Sequence, residues 1–251
     1  MLLAALAACG GADDAVALLR LARDRAGDAL TGFEVMNRAS LALVARELPQ
    51  LPQPLAPAAW TVLLELSDAE SANHARQVFE GLLEAAFEAG ILHDAAIAQS
   101  LQQARDFWHL RESIPLAQAQ AGLNIKHDIA LPVSAIPGFV AEMDAALARY
   151  MPGIEIIDFG HLGDGNLHYN VQAPAGIAPA DFLAMHEAAI NERVYDAVQR
   201  LGGSISAEHG IGKLKARWLP LQVGATQVAV MRALKQTLDP HNILAPGNVL
   251  A

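Results

Sequence analysis

The sequence is short of cysteine, of aromatic residues and of basic residues, and these shortages exclude several classes of protein. A single cysteine, Cys9, in 251 residues excludes a disulfide framework and a cysteine-based zinc cluster. Because 27 Asp and Glu residues outnumber 17 Lys and Arg residues, the formal net charge is −10, and nucleic acid is not expected as a partner. No apolar run reaches the roughly 18–20 residues of a membrane-spanning helix, so no transmembrane segment is expected. The abundance of hydrophobic residues, 53% of the chain, predicts a globular protein with a sizeable core.

The N-terminal residues, rich in Leu and Ala, allow two interpretations. Residues 6–10 are similar to the cleavage site of a bacterial lipoprotein signal, but such a signal needs preceding basic residues and the first one here is Arg20. We therefore predict a short helix that ends at Gly10 and Gly11, followed by a second helix from Asp13. A cytoplasmic location follows from this interpretation.

Helical and strand-like patterns alternate along the chain. We predict strands at 60–66, 125–133, 154–159 and 167–172, and helices at 41–48, 75–86, 98–111, 137–150, 180–201 and 225–238. Ser67 and Glu70 have the spacing of a capping box. The link from Phe159 to Leu167 is too short for a parallel crossover. The expected fold is α+β: a mostly antiparallel sheet with helices packed on one face, a ferredoxin-like arrangement and a C-terminal helical segment. No internal repeat stands out.

The segment HLGDGNLHYN (161–170) contains two histidines placed symmetrically about Asp164-Gly165, which is a strong signal for a two-residue hairpin turn. That turn places His161 opposite His168, with side chains about 5 Å apart on one face, and Asn170 on the same face. Two imidazoles at that distance suit a divalent metal. A pair of histidines hydrogen-bonded to each other or to water is the alternative.

A second segment, SAEHGIGK (206–213), combines an acid and a histidine with small residues that leave room for a ligand. Glu208 could complete a set of two histidines and one carboxylate, and His209 would then be available as an acid or base. Alternatively, the segment is a solvated Gly-rich loop.

Cations mark a third region, where Arg111 precedes Lys126 by fifteen residues. In an acidic chain, cations directed at a cleft favour a carboxylate ligand, which Arg holds through two parallel hydrogen bonds. Surface ion pairs of Arg111 with Glu112 and of Lys126 with Asp128 are the alternative. Spacing alone does not bring the three regions together.

With these motifs in order, the sequence resembles the C-terminal domain of the FAD-linked oxidases, the group that includes D-2-hydroxyglutarate dehydrogenase, D-lactate dehydrogenase and the flavin subunit of glycolate oxidase. The resemblance covers nearly the whole chain. It rests on HLGDGNLHYN and SAEHGIGK, on RESIP (111–115) with IKHDIALPVS (125–134), and on the tail DPHNILAPGNVL (239–250).

The resemblance implies a role for each matching residue. His161, His168 and Glu208 would bind a divalent metal, commonly zinc. Arg111 and Lys126 would bind the substrate carboxylate, Asn170 would contact the substrate, and His209 would accept the proton of the C2 hydroxyl while a hydride leaves for the flavin. Pro115 departs from the pattern, because the hydroxyglutarate enzymes have a hydroxyl residue there for the distal carboxylate. Ala245 and Asn248 depart from it where the tail usually reads Asn-Pro-Gly-Lys.

The resemblance also implies a division of the protein. Residues 1–215 would form the substrate, or cap, domain, and residues 216–251 would pack against an N-terminal FAD-binding domain that has no match here; the FAD-contacting residues stay unknown. The chain alone is expected to bind little FAD and to be inactive, with a homodimer left open. Two alternatives compete: a free-standing metallohydrolase that uses the same two histidines and glutamate, and a non-catalytic interaction subunit of a flavoprotein, docking through the first Leu/Ala-rich helices.

Overall fold

The computed structural model describes residues 2–68 and 70–250, and these residues form eight strands and eight α-helices. The strands are β1 (Leu2–Cys9), β2 (Leu30–Asn37), β3 (Trp60–Ser67), β4 (Leu92–Ile97), β5 (Asn124–Ile125), β6 (Asp128–Ala130), β7 (Glu155–His161) and β8 (Asn166–Gln172). The helices are α1 (Ala12–Ala26), α2 (Arg38–Glu47), α3 (Ala72–Glu88), α4 (Leu101–Glu112), α5 (Ile114–Ala121), α6 (Ile136–Tyr150), α7 (Pro179–Arg200) and α8 (Leu219–Leu238).

The strands form one sheet in the order β4-β1-β3-β2-β7-β8-β5, with β6 also paired to β8, and their pairings are antiparallel. The predicted α+β class and antiparallel sheet are confirmed. The first four strands, with α1 and α3 as connections, have the ferredoxin-like order β4-β1-β3-β2. The second half repeats that order: a bridge at Ser204 pairs with β6, β6 with β8, and β8 with β7. Two similar units therefore meet where β2 pairs with β7, although no internal repeat was expected from the sequence.

Helices cover both faces of the sheet, whereas the sequence predicted them on one face. Along β1, Ala5 and Ala7 belong to a core formed with α1, α3, α6 and α7, while Ala4 and Leu6 belong to a second core formed with α2, α4 and α5. The reason is that β1 is apolar at successive positions, so both of its sides must be removed from water.

The predicted N-terminal helix is wrong, because Leu2–Cys9 is strand β1 in the interior of the sheet. Leu and Ala favour helices intrinsically, but packing overrides that weak preference. Every residue from Leu3 to Cys9 is buried. Burial raises the pKa of the Cys9 thiol to about 12. These residues are thus core, not the docking surface that the interaction-subunit alternative assumed.

Smaller differences concern the ends of elements. Helix α3 is capped by Ser71, whose hydroxyl oxygen accepts the backbone N–H of His74 at 3.1 Å, so the predicted capping box at Ser67 and Glu70 is wrong. Strand β4 was not predicted. Helix α8 begins earlier than expected and is kinked at Gly224, where φ is 81°. Among the described helices, none combines the length and the apolar character needed to cross a membrane.

Candidate metal and substrate site

The β7–β8 hairpin brings His161 and His168 to one face of the sheet, but in a different register from the predicted one. The direct partner of His168 is Phe159. The connection has four residues, 162–165, and the N–H of Gly165 donates to the Leu162 carbonyl at 3.1 Å. The predicted two-residue turn is wrong because only Gly165, with φ of 73°, is left-handed. Since the register differs by two residues, both histidines keep the predicted face, and their rings lie 6.3 Å apart.

Glu208 completes a compact cluster with these two histidines. Nε2 of His161 and Nε2 of His168 each lie 3.5 Å from an oxygen of the Glu208 carboxylate. One ligand atom from each of the three residues lies within 4.8 Å of the others. Two ligands at about 2.1 Å from a tetrahedral ion are roughly 3.4 Å apart, which the two histidine–carboxylate distances of 3.5 Å match, so these residues could hold one divalent metal ion. In the described part of the chain, no other group of three such residues is this compact.

Glu34, which was not predicted as a site residue, lies directly behind His161. Its Oε1 is 2.6 Å from Nδ1 of His161. This hydrogen bond raises the pKa of His161, against the effect of burial. The signal in the sequence was an acid between apolar residues of β2, where Glu34 is almost completely buried.

Arg111 pairs with Glu34 and not with the adjacent Glu112. Its Nε donates to Oε2 of Glu34 at 3.0 Å, and an Nη lies 2.8 Å from the same oxygen. The guanidinium also stacks over the Phe159 ring, 4.8 Å from its centroid. Burial first, and the positive charge of Arg111 second, lower the pKa of His168, which favours the neutral imidazole that binds metals.

Asp128 holds the loop that carries Glu208. Its Oδ2 accepts the backbone N–H groups of Glu208 and His209, each at 2.8 Å, and its Oδ1 accepts the Asn166 amide at 2.9 Å. Burial raises the pKa of Asp128, but these hydrogen bonds outweigh it, so the pKa lies below its ordinary value. The suggested ion pair with Lys126 is therefore replaced by hydrogen bonds that fix the position of the second motif.

A cleft of about 670 Å³ opens beside the cluster and contains the other predicted residues. Arg111, Lys126, Asn170 and His209 all line it. Lys126 is exposed, and the His209 side chain is 65% exposed with its ring 6.0 Å from that of His168. The structure thus brings the three separate regions of the sequence together.

Asn170 is the least available of the predicted substrate contacts. Its Oδ1 accepts the backbone N–H of His127 at 3.0 Å, and its Nδ2 donates to Gln118 at 3.0 Å. The same His127 is fully buried, with Nδ1 2.7 Å from the Tyr169 carbonyl oxygen. Asn170 is therefore held rigidly at the wall of the cleft.

The fold and the site define an α+β domain: two ferredoxin-like units in one sheet, with a compact His/His/Glu cluster in the second unit beside a cleft lined by Arg111 and Lys126. The chain belongs to the family of FAD linked oxidases, C-terminal domain, whose family model matches residues 3–249.

Curated relatives agree with this assignment. A D-2-hydroxyglutarate dehydrogenase of Xanthomonas citri pv. viticola is 39% identical over 188 residues, 75% of this chain and 39% of that protein. The mitochondrial D-2-hydroxyglutarate dehydrogenase of Arabidopsis thaliana is 34% identical over 234 residues, 93% of this chain and 40% of that protein. The chain thus spans about two fifths of the length of these relatives. Among solved structures, p-cresol methylhydroxylase with substrate bound shares the fold, with a TM-score of 0.65 at 14% identity over 99% of this chain and 52% of that one.

Proposed function

We propose that this chain is the substrate- and metal-binding part of an FAD-dependent oxidoreductase that converts a D-2-hydroxy acid to the 2-oxo acid. The observation that carries the proposal is the placement of His161, His168 and Glu208 next to the cleft that Arg111 and Lys126 line. The dehydrogenase names of the relatives support the reaction class.

In this proposal the chain binds and orients the substrate. Arg111 and Lys126 hold the carboxylate, since they provide cations within the cleft. His209 is exposed to the cleft and accepts the proton of the C2 hydroxyl. Loss of that proton together with a hydride from C2 leaves the 2-oxo acid. A zinc ion at the cluster would supply Lewis-acid polarisation of the hydroxyl, and FAD would supply the hydride acceptor.

The C-terminal residues 216–251 are proposed to pack against an N-terminal FAD-binding domain, with residues 1–215 as the cap. Apolar side chains in this region point into solvent in the chain by itself: Leu238 is 78% exposed and Ile243 is 75% exposed. Such a surface is typical of an interface. This region, and not the N-terminal segment, is where docking to a flavoprotein is expected.

The substrate class follows from the cleft wall. Pro115 lines the cleft where the resemblance implies a hydroxyl residue in enzymes that act on 2-hydroxyglutarate. Proline has no hydrogen-bond donor in its side chain or at its backbone nitrogen. We therefore favour a monocarboxylic acid similar to lactate or glycolate over a dicarboxylic one. The cytoplasmic location also stays a prediction; the Arabidopsis relative is named as mitochondrial.

Elemental analysis tests the metal site. The purified chain is expected to bind about one equivalent of zinc, and His168→Ala should lose it. His93→Ala, the same change at an exposed histidine of β4, is the matched control and should keep it. Metal content unchanged by His168→Ala would contradict the site.

Two further measurements separate the proposal from its alternatives. Zinc-dependent ester hydrolysis without flavin would favour the metallohydrolase. The interaction-subunit alternative would be favoured if His168→Ala and His209→Ala still associated normally with a flavoprotein and its dehydrogenase activity were not lost. FAD co-purifying with this chain at about one equivalent would contradict the assignment of FAD binding to another domain.

A further inference from the structure

We infer that Glu34 is the positioning residue of the site: its carboxylate orients a metal ligand with one oxygen and the carboxylate-binding arginine with the other. The inference rests on the proposed metal site. It concerns a residue on β2, in the first ferredoxin-like unit, whereas the three cluster residues lie in the second.

The backbone places Glu34 for this role. Glu34 and His161 are direct cross-strand partners where β2 pairs with β7. Directly opposed residues of antiparallel strands have their side chains about 5 Å apart on one face. The carboxylate therefore meets the imidazole from behind, on the side away from Glu208.

The hydrogen bond determines which nitrogen of His161 faces the cluster. A carboxylate can only accept, so the 2.6 Å contact of Oε1 requires a proton on Nδ1. In the neutral ring, Nε2 then has its lone pair free, and it is the nitrogen that lies 3.5 Å from Glu208. A carboxylate behind a histidine in this way sets the tautomer and the ring orientation and increases metal affinity.

The other oxygen of Glu34 is committed to Arg111, at 2.8 and 3.0 Å. The Glu34 side chain is 5% exposed and that of Arg111 is 9% exposed, so water does not compete for this pair. Both groups are thereby held in one geometry. Glu34 connects the positions of the metal ligand and of the substrate-binding cation.

The inference is tested by measuring the zinc affinity of the full chain in competition with a chromogenic chelator. Glu34→Gln should weaken zinc binding about 10- to 100-fold, as loss of such a carboxylate typically does. Arg111→Met is the matched control, because it breaks the same buried ion pair but leaves the His161 contact, and it should bind zinc at least as tightly as the unaltered chain. Asp68→Asn changes another His–carboxylate contact, 2.5 Å to His74, between residues that belong neither to the cluster nor to the lining of the cleft, and should have no effect.

The absorption spectrum of bound Co²⁺ gives a second readout, which should differ from that of the unaltered chain in Glu34→Gln and not in Arg111→Met. If Glu34→Gln does not fold, the double variant Glu34→Gln/Arg111→Met, which leaves no buried charge unpaired, replaces it with the same expected loss. If the folded variants bound zinc as tightly as the unaltered chain does, the role of Glu34 would be overturned but the metal site would not. Failure of the unaltered chain to bind zinc would overturn the metal site, and this inference with it.

Discussion

Stability at mildly acidic pH should depend on His127, which lies in the wall of the cleft. The ring is completely buried, with Nδ1 2.7 Å from the Tyr169 carbonyl oxygen and Nε2 2.9 Å from the side-chain amide of Asn191. The Tyr169 carbonyl can only accept, so the neutral ring carries its proton on Nδ1. The atom of Asn191 that faces Nε2 is Oδ1, also an acceptor, so both contacts raise the pKa of His127, and burial outweighs them. Burial, more than any other effect, lowers the pKa of His127 from 6.5 to about 4.

The difference between the ordinary pKa of histidine and that of His127 in the folded chain sets the sign and the size of the change in unfolding free energy. Between pH 6.5 and 4 the unfolded chain binds a proton at this residue and the folded chain does not, so the contribution of His127 to stability is complete above pH 6.5 and is lost as the pH falls toward 4. Between pH 7.5 and 5 the loss amounts to about 2 kcal/mol of unfolding free energy.

Urea unfolding followed by circular dichroism at pH 7.5 and pH 5 measures this loss. His127→Gln removes the titrating group, so its free energy of unfolding should fall by about 2 kcal/mol less than that of the unaltered chain over this interval. His93→Gln, at an exposed histidine, should keep the original pH dependence. The same pH dependence in His127→Gln and in the unaltered chain would refute the reasoning.

Three other changes test the loop, the hairpin and the substrate class. Asp128→Ala leaves the backbone N–H groups of Glu208 and His209 without an acceptor. It should therefore lower the free energy of unfolding in urea by roughly 2–4 kcal/mol and weaken zinc binding. Unchanged zinc affinity would contradict the role of Asp128 in positioning Glu208. Gly165→Ala should lower the melting temperature, measured by calorimetry, more than Gly176→Ala does. Both glycines have positive φ, but only at Gly165 does a backbone carbonyl oxygen lie 2.1 Å from the new Cβ. Equal shifts would argue against a constrained turn. Pro115→Thr should improve binding of 2-hydroxyglutarate relative to lactate about tenfold, measured by tryptophan fluorescence, and an unchanged ratio would remove the argument for a monocarboxylic substrate.

The composition of the site could be predicted from the sequence because its residues occur in short local motifs. His161 and His168 flank one turn, so local chain geometry alone placed them on one face, and an error of two residues in register did not alter that result. Helices with clear periodicity, such as α6 and α7, were also predicted close to their observed bounds.

The parts that were missed depend on contacts between distant segments. Glu34 is 127 residues from His161 in the chain and reaches it only because β2 and β7 pair. Asp128 reaches the loop at Glu208 across 80 residues. No local pattern reports such a pairing, since strand order is determined by how the whole sheet is packed.

The sequence by itself therefore determined which chemical groups this protein has and where its strong local turns and helices lie, because those depend on neighbouring residues. The tertiary structure decided that Leu2–Cys9 is a strand, that helices cover both faces, and that an acid of the first unit supports the histidine of the second. The physical reason is burial: weak local preferences yield to the removal of apolar surface from water, and a charge such as that of Glu34 is stable inside only where distant partners satisfy it.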